Sequence, residues 1–209
     1  EKPSEKSPTI AMVQPSISQT KKWSKAYFDS VTTKTWNLVD EYPTLHEVDI
    51  LVLAETAIPD ILKRHRDQIR HIRKVANENG LNLLVGALDY DRIERENHSP
   101  LFKLYNSSFL FYPESLNKKE DRYIKQHLVP FSERIPFDDV FPILNYVDFG
   151  EGDFTPGTET PVYEPFAWTP YICYEAIFGD QIRRAIRNGS RLMINITNDG
   201  WFGKSTAPG

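Results

Sequence analysis

Short apolar runs separated by longer amphipathic stretches organise the first half of the chain. Residues 9–14, 49–54 and 81–88 are apolar almost throughout, and polar or turn-forming residues bound each run. Runs of this length predict strands rather than buried helices. Because apolar and polar positions do not alternate within them, they are typical of parallel strands that are covered on both faces.

Two amphipathic segments lie between these runs. Residues 20–41 and 60–79 carry apolar side chains at mostly three-to-four spacing, which predicts one helix in each segment. Asp60 directly follows a proline and is the predicted cap at the start of the second helix. Gly80 is the residue predicted to end that helix.

The second half of the chain is richer in extended segments. A charged loop is predicted over residues 89–104, and strands over 105–112 and 123–127. A helix is then predicted over residues 175–188 and a last strand over 191–196. Helices separate the first strands, whereas later strands follow one another, and this order indicates α/β layers around a mixed sheet.

Composition narrows the class of protein. The chain has 209 residues, of which 40% are hydrophobic and 26% charged, and this favours one sizeable globular domain. A net charge of −4 gives no electrostatic reason to expect nucleic acid as a partner. No stretch approaches the roughly 18 apolar residues of a membrane span. Residues 1–8 are polar and contain proline, and we interpret them as a linker or the cut end of a longer protein.

The single cysteine, Cys173, is the most informative candidate for chemistry. One cysteine excludes an intrachain disulfide and a cysteine-based zinc cluster. The five histidines are scattered, so neither a metal site nor a cofactor is expected. Cys173 lies where an apolar run turns into a predicted helix, a position that presents a side chain to a pocket. Taken alone, a lone cysteine is more often a small buried apolar residue.

Two other reactive side chains also follow apolar runs. Glu55 comes after the second predicted strand and Lys125 lies in the 123–127 segment. Each alone is more simply a solvated surface charge. Residues beyond the carboxyl ends of strands line one crevice in an open α/β sheet, so these two groups and Cys173 can meet.

Together, the three residues suit nucleophilic catalysis without a metal or cofactor. A thiol with a pKa near ~8.5 needs an adjacent base, and the Glu55 carboxylate can accept its proton. The Lys125 ammonium can stabilise the oxyanion that forms when a carbonyl carbon is attacked. The backbone N–H of Tyr174 is a candidate second donor to that oxyanion.

Four sequence blocks support this interpretation and resemble a known family. They are Leu-Ala-Glu-Thr-Ala-Ile-Pro at 53–59, Tyr-Ile-Lys-Gln-His-Leu-Val-Pro-Phe-Ser-Glu-Arg-Ile-Pro at 123–136, Ile-Cys-Tyr-Glu at 172–175 and Asn-Ile-Thr-Asn-Asp-Gly-Trp-Phe-Gly at 195–203. In this order they resemble the nitrilase, or carbon–nitrogen hydrolase, superfamily. The second and fourth blocks are more narrowly similar to its apolipoprotein N-acyltransferase branch. The resemblance runs from about residue 9 to residue 208.

The resemblance implies a nitrilase-like αββα sandwich with a Glu-Lys-Cys triad at Glu55, Lys125 and Cys173. It also assigns Glu133 to the second glutamate of the superfamily, which lies beside the lysine and shapes the site. Small departures, such as Leu53-Ala54 where Trp-Pro is common and Ser132 where glycine is usual, affect fine geometry rather than the chemistry.

Three further residues match positions that the acyltransferase branch uses near its substrates. Tyr174 and Glu175 match residues that this branch needs beside its cysteine. Trp23 matches its opening tryptophan, although a half-buried core aromatic is an equally good interpretation of that residue. Family members continue beyond the Trp-Phe-Gly block, so residues 9–209 are expected to be a catalytic domain that lacks its C-terminal part.

The implied activity is an N-acyl transfer. An acyl chain would move from a phospholipid to Cys173 as a thioester, and then to the N-terminal amine of a diacylglyceryl-cysteine apolipoprotein. The domain would lie on the periplasmic side of the bacterial inner membrane, anchored through flanking helices absent from this chain. Residues 137–149 with Trp201-Phe202 would form a membrane-facing arm, or would close the core.

Two alternatives stay open at this point. One is a soluble carbon–nitrogen hydrolase, an amidase, in which water attacks the same acylated cysteine. The other is that the fragment by itself is an inactive folding unit or a partner-binding piece. The triad alone does not distinguish an acyltransferase from a hydrolase, because both use the same first step.

Overall fold

The computed structural model describes residues 7–18, 22, 25–95, 98–130, 133 and 154–198. Trp23, the 137–149 segment and Trp201-Phe202 lie outside the described residues, so the predictions made for them stay predictions. No helix within the described ranges has the length and apolar character needed to cross a bilayer.

Two sheets carry the fold. The first sheet has six strands, and its main path runs β1-β2-β4-β5-β6 while β3 pairs with β4. The first four strands pair in parallel, whereas β4, β5 and β6 are antiparallel, so the sheet is mixed as predicted. These strands are β1 Ile10–Val13, β2 Ile50–Leu53, β3 Ile58–Ile61, β4 Asn82–Arg95, β5 His98–Phe111 and β6 Asp121–Ile124.

The second sheet and the helices complete the layers. Strands β7 (Trp168–Ile172) and β8 (Leu192–Ile196) pair in parallel, and helix α3 (Gly179–Arg187) connects them. Helices α1 (Phe28–Asp40) and α2 (Arg66–Asn79) belong to the first half of the chain.

The first sheet is covered on both faces. On one face, α1 and α2 pack against a cluster of buried apolar side chains that includes Trp36, Val39, Leu51, Leu53, Ile72, Val75, Leu83, Val85, Phe109 and Phe111. On the other face, a second cluster joins the two sheets through Ile50, Val52, Leu84, Leu110, Tyr123, Trp168, Ile172, Ile194 and Ile196.

Helix α3 lies beyond the second sheet. Tyr171 points to the opposite side of β7 from Ile172, because side chains alternate along a strand. Its hydroxyl donates a hydrogen bond to the carbonyl oxygen of Gln181 in α3, at 3.4 Å. The layers are therefore helix, sheet, sheet and helix, which confirms the predicted αββα sandwich.

The predicted charged loop over residues 89–104 is wrong, because β4 and β5 continue through it as one long hairpin. Asp89 is fully buried there, a position that a lone carboxylate would not tolerate. It is paired with Lys63, at 2.9 Å, and with Arg122. Partners distant in sequence thus allow charged residues to remain in the strand.

One helix boundary also differs from the prediction. Helix α2 begins at Arg66 rather than at Asp60, which lies in β3. The Asp60 carboxylate accepts a hydrogen bond from the Ile61 N–H at 2.7 Å and is 2.9 Å from His65 Nε2, so it caps no helix. Gly80 ends α2 as predicted, with a left-handed φ of 65°. Helix α1 begins at Phe28, and most of residues 19–24 lie outside the described residues, so the helix start predicted at residue 20 stays a prediction.

The helix predicted over 175–188 is divided into two parts. Residues Cys173–Ile177 form a tight 3₁₀ turn, and the α-helix starts only at Gly179. In α3, the apolar Ile186 is 55% exposed, whereas the polar Gln181 is buried beside Ala185. The Gln181 amide tolerates burial because it donates to the Tyr123 hydroxyl oxygen at 2.7 Å and to Glu175 Oε1 at 3.2 Å.

Candidate active site

Glu55 emerges from the carboxyl end of the fully buried strand β2. The residue is 5% exposed, and its backbone carbonyl accepts a hydrogen bond from the buried Lys22 ammonium at 2.8 Å. Thr56, the next residue, has a positive φ of 47° that only a constrained turn imposes on a threonine. The turn therefore holds the Glu55 carboxylate at the sheet end, inside the molecule.

Lys125 reaches the same place from the end of β6. Its ammonium is buried, 2.9 Å from a carboxylate oxygen of Glu133 and 3.4 Å from Oε1 of Glu55. Burial opposes the charge, but the two carboxylates outweigh burial and raise the pKa of Lys125. The lysine is thus a fixed cation between two carboxylates.

Asn106 is a residue of this cluster that sequence reasoning missed. Its Nδ2 donates one hydrogen bond to Glu55 Oε1 at 2.9 Å and another to Glu133 Oε1 at 2.8 Å. The side chain is 3% exposed. It bridges the same two carboxylates as Lys125 without adding charge. The available signal was a polar Asn-Ser-Ser run inside a predicted strand.

Glu133 closes the group from the other side. Its second oxygen accepts a hydrogen bond from the Val129 N–H at 2.9 Å, which ties the carboxylate to the segment that follows Lys125. The Glu133 carbonyl also accepts from the Phe154 N–H at 2.9 Å. These bonds hold Glu133 beside the lysine, where the family resemblance expects it.

Cys173 occupies the turn directly after β7. Its φ of 51° is positive, and Asn195 donates a hydrogen bond to its carbonyl at 3.3 Å. Burial and the charges of Glu55 and Glu133 raise the pKa of the Cys173 thiol, whereas a hydrogen bond with Thr197 and the Lys125 charge oppose the rise. Cys173 is half-buried, and the rise in the pKa of its thiol favours the neutral form over the thiolate.

Tyr174 and Glu175 lie beside the cysteine but in different surroundings. Tyr174 is half-buried, and its ring meets the Phe178 ring edge-on at 5.1 Å. Glu175 is completely buried, with its carboxylate turned inward. The substrate-binding role expected for these two residues stays a prediction, as does that of Trp23.

The structure thus brings four of the predicted residues into one group. Glu55, Lys125 and Glu133 are in direct contact, and the charges of all three act on the Cys173 thiol. A carboxylate, an ammonium and a thiol meeting at strand ends are the groups that nucleophilic attack on a carbonyl carbon requires. Their catalytic roles stay predictions.

Together, the layered sandwich and this group define an α/β protein with a cysteine site at the edge of its sheets. A family model described as "Carbon-nitrogen hydrolase" matches residues 9–209. The chain belongs to the carbon–nitrogen hydrolase family.

Curated relatives carry a more specific name. A Haemophilus influenzae protein named apolipoprotein N-acyltransferase is 28% identical over 208 residues, covering 98% of this chain and 39% of the relative. A Brucella suis protein of the same name is 34% identical over 206 residues, covering 95% of this chain and 37% of the relative. The chain therefore spans well under half the length of these relatives.

Solved structures agree on the fold. The glutamine-dependent NAD+ synthetase of Acinetobacter baumannii superposes with a TM-score of 0.60 at 14% identity, covering 92% of this chain and 32% of that one. Nit3 of Saccharomyces cerevisiae, described as a nitrilase-superfamily member, gives 0.53 at 20% identity, covering 90% of this chain and 63% of that one. These likenesses establish a nitrilase-like fold.

Proposed function

We propose that this chain is the catalytic domain of an apolipoprotein N-acyltransferase. The observation that carries the proposal is the buried contact of Lys125 with Glu55 and Glu133 next to the only cysteine of the chain. The names of the curated relatives indicate an apolipoprotein as acyl acceptor, and the family resemblance adds a phospholipid as acyl donor.

In the first step, Glu55 acts as the general base. Within the described residues, its Oε2 is buried and has no hydrogen-bond partner, so a lone pair is available for the thiol proton. The Cys173 sulfur attacks the ester carbonyl carbon of the phospholipid, and the ester C–O bond then breaks. The leaving lysophospholipid oxygen takes the proton from Glu55, and an acyl thioester remains on the enzyme.

Lys125 stabilises the charge that develops during this attack. The carbonyl oxygen becomes an oxyanion when the C–S bond forms, and a buried ammonium acts on it without screening by bulk water. Because its pKa is raised, Lys125 retains its proton throughout and serves as an electrostatic group, not as an acid. Glu133 and Asn106 hold the Lys125 ammonium and the Glu55 carboxylate at fixed positions relative to each other.

In the second step, the N-terminal amine of the acceptor attacks the thioester. The amine loses a proton to Glu55, the C–S bond breaks, and the Cys173 sulfur is reprotonated. The products are an amide and free enzyme. In an amidase, the same family's other chemistry, water would take the place of the amine and release a carboxylic acid.

The membrane setting is also part of the proposal. A lipid donor and a lipid-modified acceptor require access to a bilayer, so we place this domain on the periplasmic side of the bacterial inner membrane. Flanking segments of the parent protein would anchor it there. Tyr174 and Trp23 are the proposed contacts with the substrates, because the acyltransferase resemblance selects both.

The test is a two-stage labelling experiment on the full-length protein. Incubation with phospholipid labelled in its acyl chain should leave a hydroxylamine-sensitive label on the peptide that contains Cys173, and Cys173→Ala should leave none. A synthetic diacylglyceryl-cysteine peptide should then remove the label and become N-acylated. Absence of label at Cys173 combined with ammonia release from simple amides would refute acyl transfer in favour of an amidase.

A further inference from the structure

The carboxylate of Glu175 is the centre of a second buried polar cluster next to the candidate site. Glu175 is 0% exposed, and its Oε2 accepts a hydrogen bond from the Ile172 N–H at 2.8 Å. Its Oε1 accepts from the Gln126 N–H at 2.7 Å and, more weakly, from the His127 N–H at 3.3 Å. A buried carboxylate needs such donors, since it would otherwise be costly to remove from water.

These backbone donors belong to the two segments that carry the reactive groups. Ile172 directly precedes Cys173, and Gln126 directly follows Lys125. One carboxylate therefore connects the turn that presents the thiol to the segment that presents the ammonium. Gln126 and Glu175, which this hydrogen bond joins, are 49 residues apart in the sequence.

Two side chains complete the shell around this carboxylate. The Tyr123 hydroxyl lies 2.8 Å from both oxygens of Glu175. The Gln181 amide donates to Glu175 Oε1 at 3.2 Å and to the Tyr123 oxygen at 2.7 Å. Tyr123 is 1% exposed and Gln181 also 1%, so neither side chain can exchange these bonds for water without opening the core.

We propose that Tyr123 and Gln181 are positioning residues for the reaction, which act through Glu175 to hold the Cys173 turn against the Lys125 segment. This inference rests on the proposed function for its kinetic readout. It assigns Glu175 the role of joining two segments of the protein, in place of the substrate contact expected from the sequence.

A small relative movement of the two segments is enough to affect catalysis. Reacting groups must be held close to their productive geometry, and a shift of about 1 Å can reduce a rate by about 100-fold. Loss of the Tyr123 hydroxyl leaves the backbone donors of Glu175 in place, so a partial shift is expected. We expect the maximal rate of thioester formation in Tyr123→Phe to fall by about tenfold or more.

The experiment compares three variants of the full-length protein. Tyr123→Phe and Gln181→Leu each remove one side-chain donor from Glu175, and Tyr171→Phe is the matched control. Tyr171 is also a buried tyrosine of this region, but within the described residues its hydroxyl bonds to the Gln181 carbonyl and not to the Glu175 carboxylate. Thermal unfolding establishes that each variant is folded. If Tyr123→Phe does not accumulate as a folded protein, Gln181→Leu tests the same role of the Glu175 carboxylate independently.

Two readouts separate positioning from general structure and from the activity itself. The first readout compares the change in the maximal rate of thioester formation with the change in the apparent KM for phospholipid. The second is alkylation of the Cys173 peptide by iodoacetamide as a function of pH, followed by mass spectrometry, which requires no acyltransferase activity. Both site variants should lose maximal rate at unchanged KM and alkylate with a lower pH midpoint, because the thiol then lies farther from the two carboxylates that raise its pKa and that Lys125 offsets only in part. Tyr171→Phe should match the wild type.

Two results would overturn the inference. One is a wild-type alkylation profile and rate in folded Tyr123→Phe and Gln181→Leu. The other is a raised KM at unchanged maximal rate, which would make this cluster a substrate-binding element. If the wild-type protein forms no thioester, the proposed function fails. The alkylation profiles of the variants still show whether Tyr123 and Gln181 position the Cys173 thiol, so the two proposals are tested separately.

Discussion

Gly86 lies directly against the turn that carries Glu55, and replacing it with alanine should displace that turn. A Cβ atom added at Gly86 would lie 2.5 Å from the Ala54 carbonyl oxygen, 2.6 Å from the Thr56 nitrogen and 2.8 Å from the Glu55 Cα. All three atoms belong to the backbone, so no side chain can rotate away to make room.

The size of the displacement follows from these distances. Ordinary contacts of a Cβ begin at 3.4 Å, so the Glu55 turn must move by about 1 Å, a shift that can reduce a rate by about 100-fold. Gly86 cannot move instead, because it is paired with Ser108 in the ladder between β4 and β5. Overpacking of this kind also costs about 1–3 kcal/mol of stability.

The assay is single-turnover formation of the Cys173 thioester, with thermal unfolding measured in parallel. Gly179→Ala is the matched control, since the nearest atom to its added Cβ is a terminal nitrogen of Arg183 at 3.3 Å, at the end of a flexible, exposed side chain. We expect Gly179→Ala to react as the wild type does. A Gly86→Ala protein that forms the thioester at the wild-type rate would refute the positional reasoning.

Three further predictions concern the same group of residues. Gly157→Ala should slow thioester formation by displacing Lys125, because the added Cβ would lie 2.4 Å from the carbonyl oxygen of Ile124, the residue before the lysine. An unchanged single-turnover rate would contradict this prediction. Glu55→Gln should abolish acyl transfer and lower the pKa of the Cys173 thiol, because the Glu55 charge raises that pKa in the wild type. Alkylation of Cys173 as a function of pH measures the shift, and an upward shift would contradict the role given to Glu55. Asn106→Asp should instead raise the pKa of the Cys173 thiol, because a third carboxylate would lie within 2.8–2.9 Å of those of Glu55 and Glu133. Alkylation of that variant should have a higher pH midpoint than that of the wild type, and thioester formation should fall by about 100-fold.

The positions of Glu55, Lys125 and Cys173 could be predicted because sequence shows where apolar strands end. Glu55 and Cys173 each follow a fully buried strand and Lys125 follows the partly buried β6, and strand ends of an α/β sheet converge at one edge. This argument needs only local sequence. It is the reason why groups far apart along the chain could be expected in one place.

Asn106 and Gly86 could not be found by that argument. Asn106 lies inside a strand, and its partners are 51 and 27 residues away. Gly86 is informative only through its closeness to a turn from another strand. Glu175 shows a related difficulty: its place next to the cysteine suggested a substrate contact, whereas its carboxylate points into the core. Such features depend on packing between segments, which local patterns do not encode.

The electrostatics of the site constrain how the thiol can react. Burial and two nearby carboxylates hold the pKa of Cys173 above that of an ordinary thiol, and Lys125 with the Thr197 hydrogen bond only partly offsets them. The thiol form is therefore stabilised by the fold at neutral pH, and this stabilisation is lost only as the pH rises through the raised value. The surroundings of Cys173 thus favour the thiol over the thiolate in the resting site.

Under the proposed mechanism, the thiol proton must therefore move to Glu55 as the sulfur approaches the carbonyl carbon. At that moment negative charge moves from the sulfur to the carbonyl oxygen, next to an ammonium that two carboxylates keep protonated. The arrangement thus favours the charge distribution of the transition state over that of a free thiolate. Fixing the distances between these groups matters more than the acidity of the cysteine, which is why Gly86, Gly157 and Tyr123 are the informative positions to change.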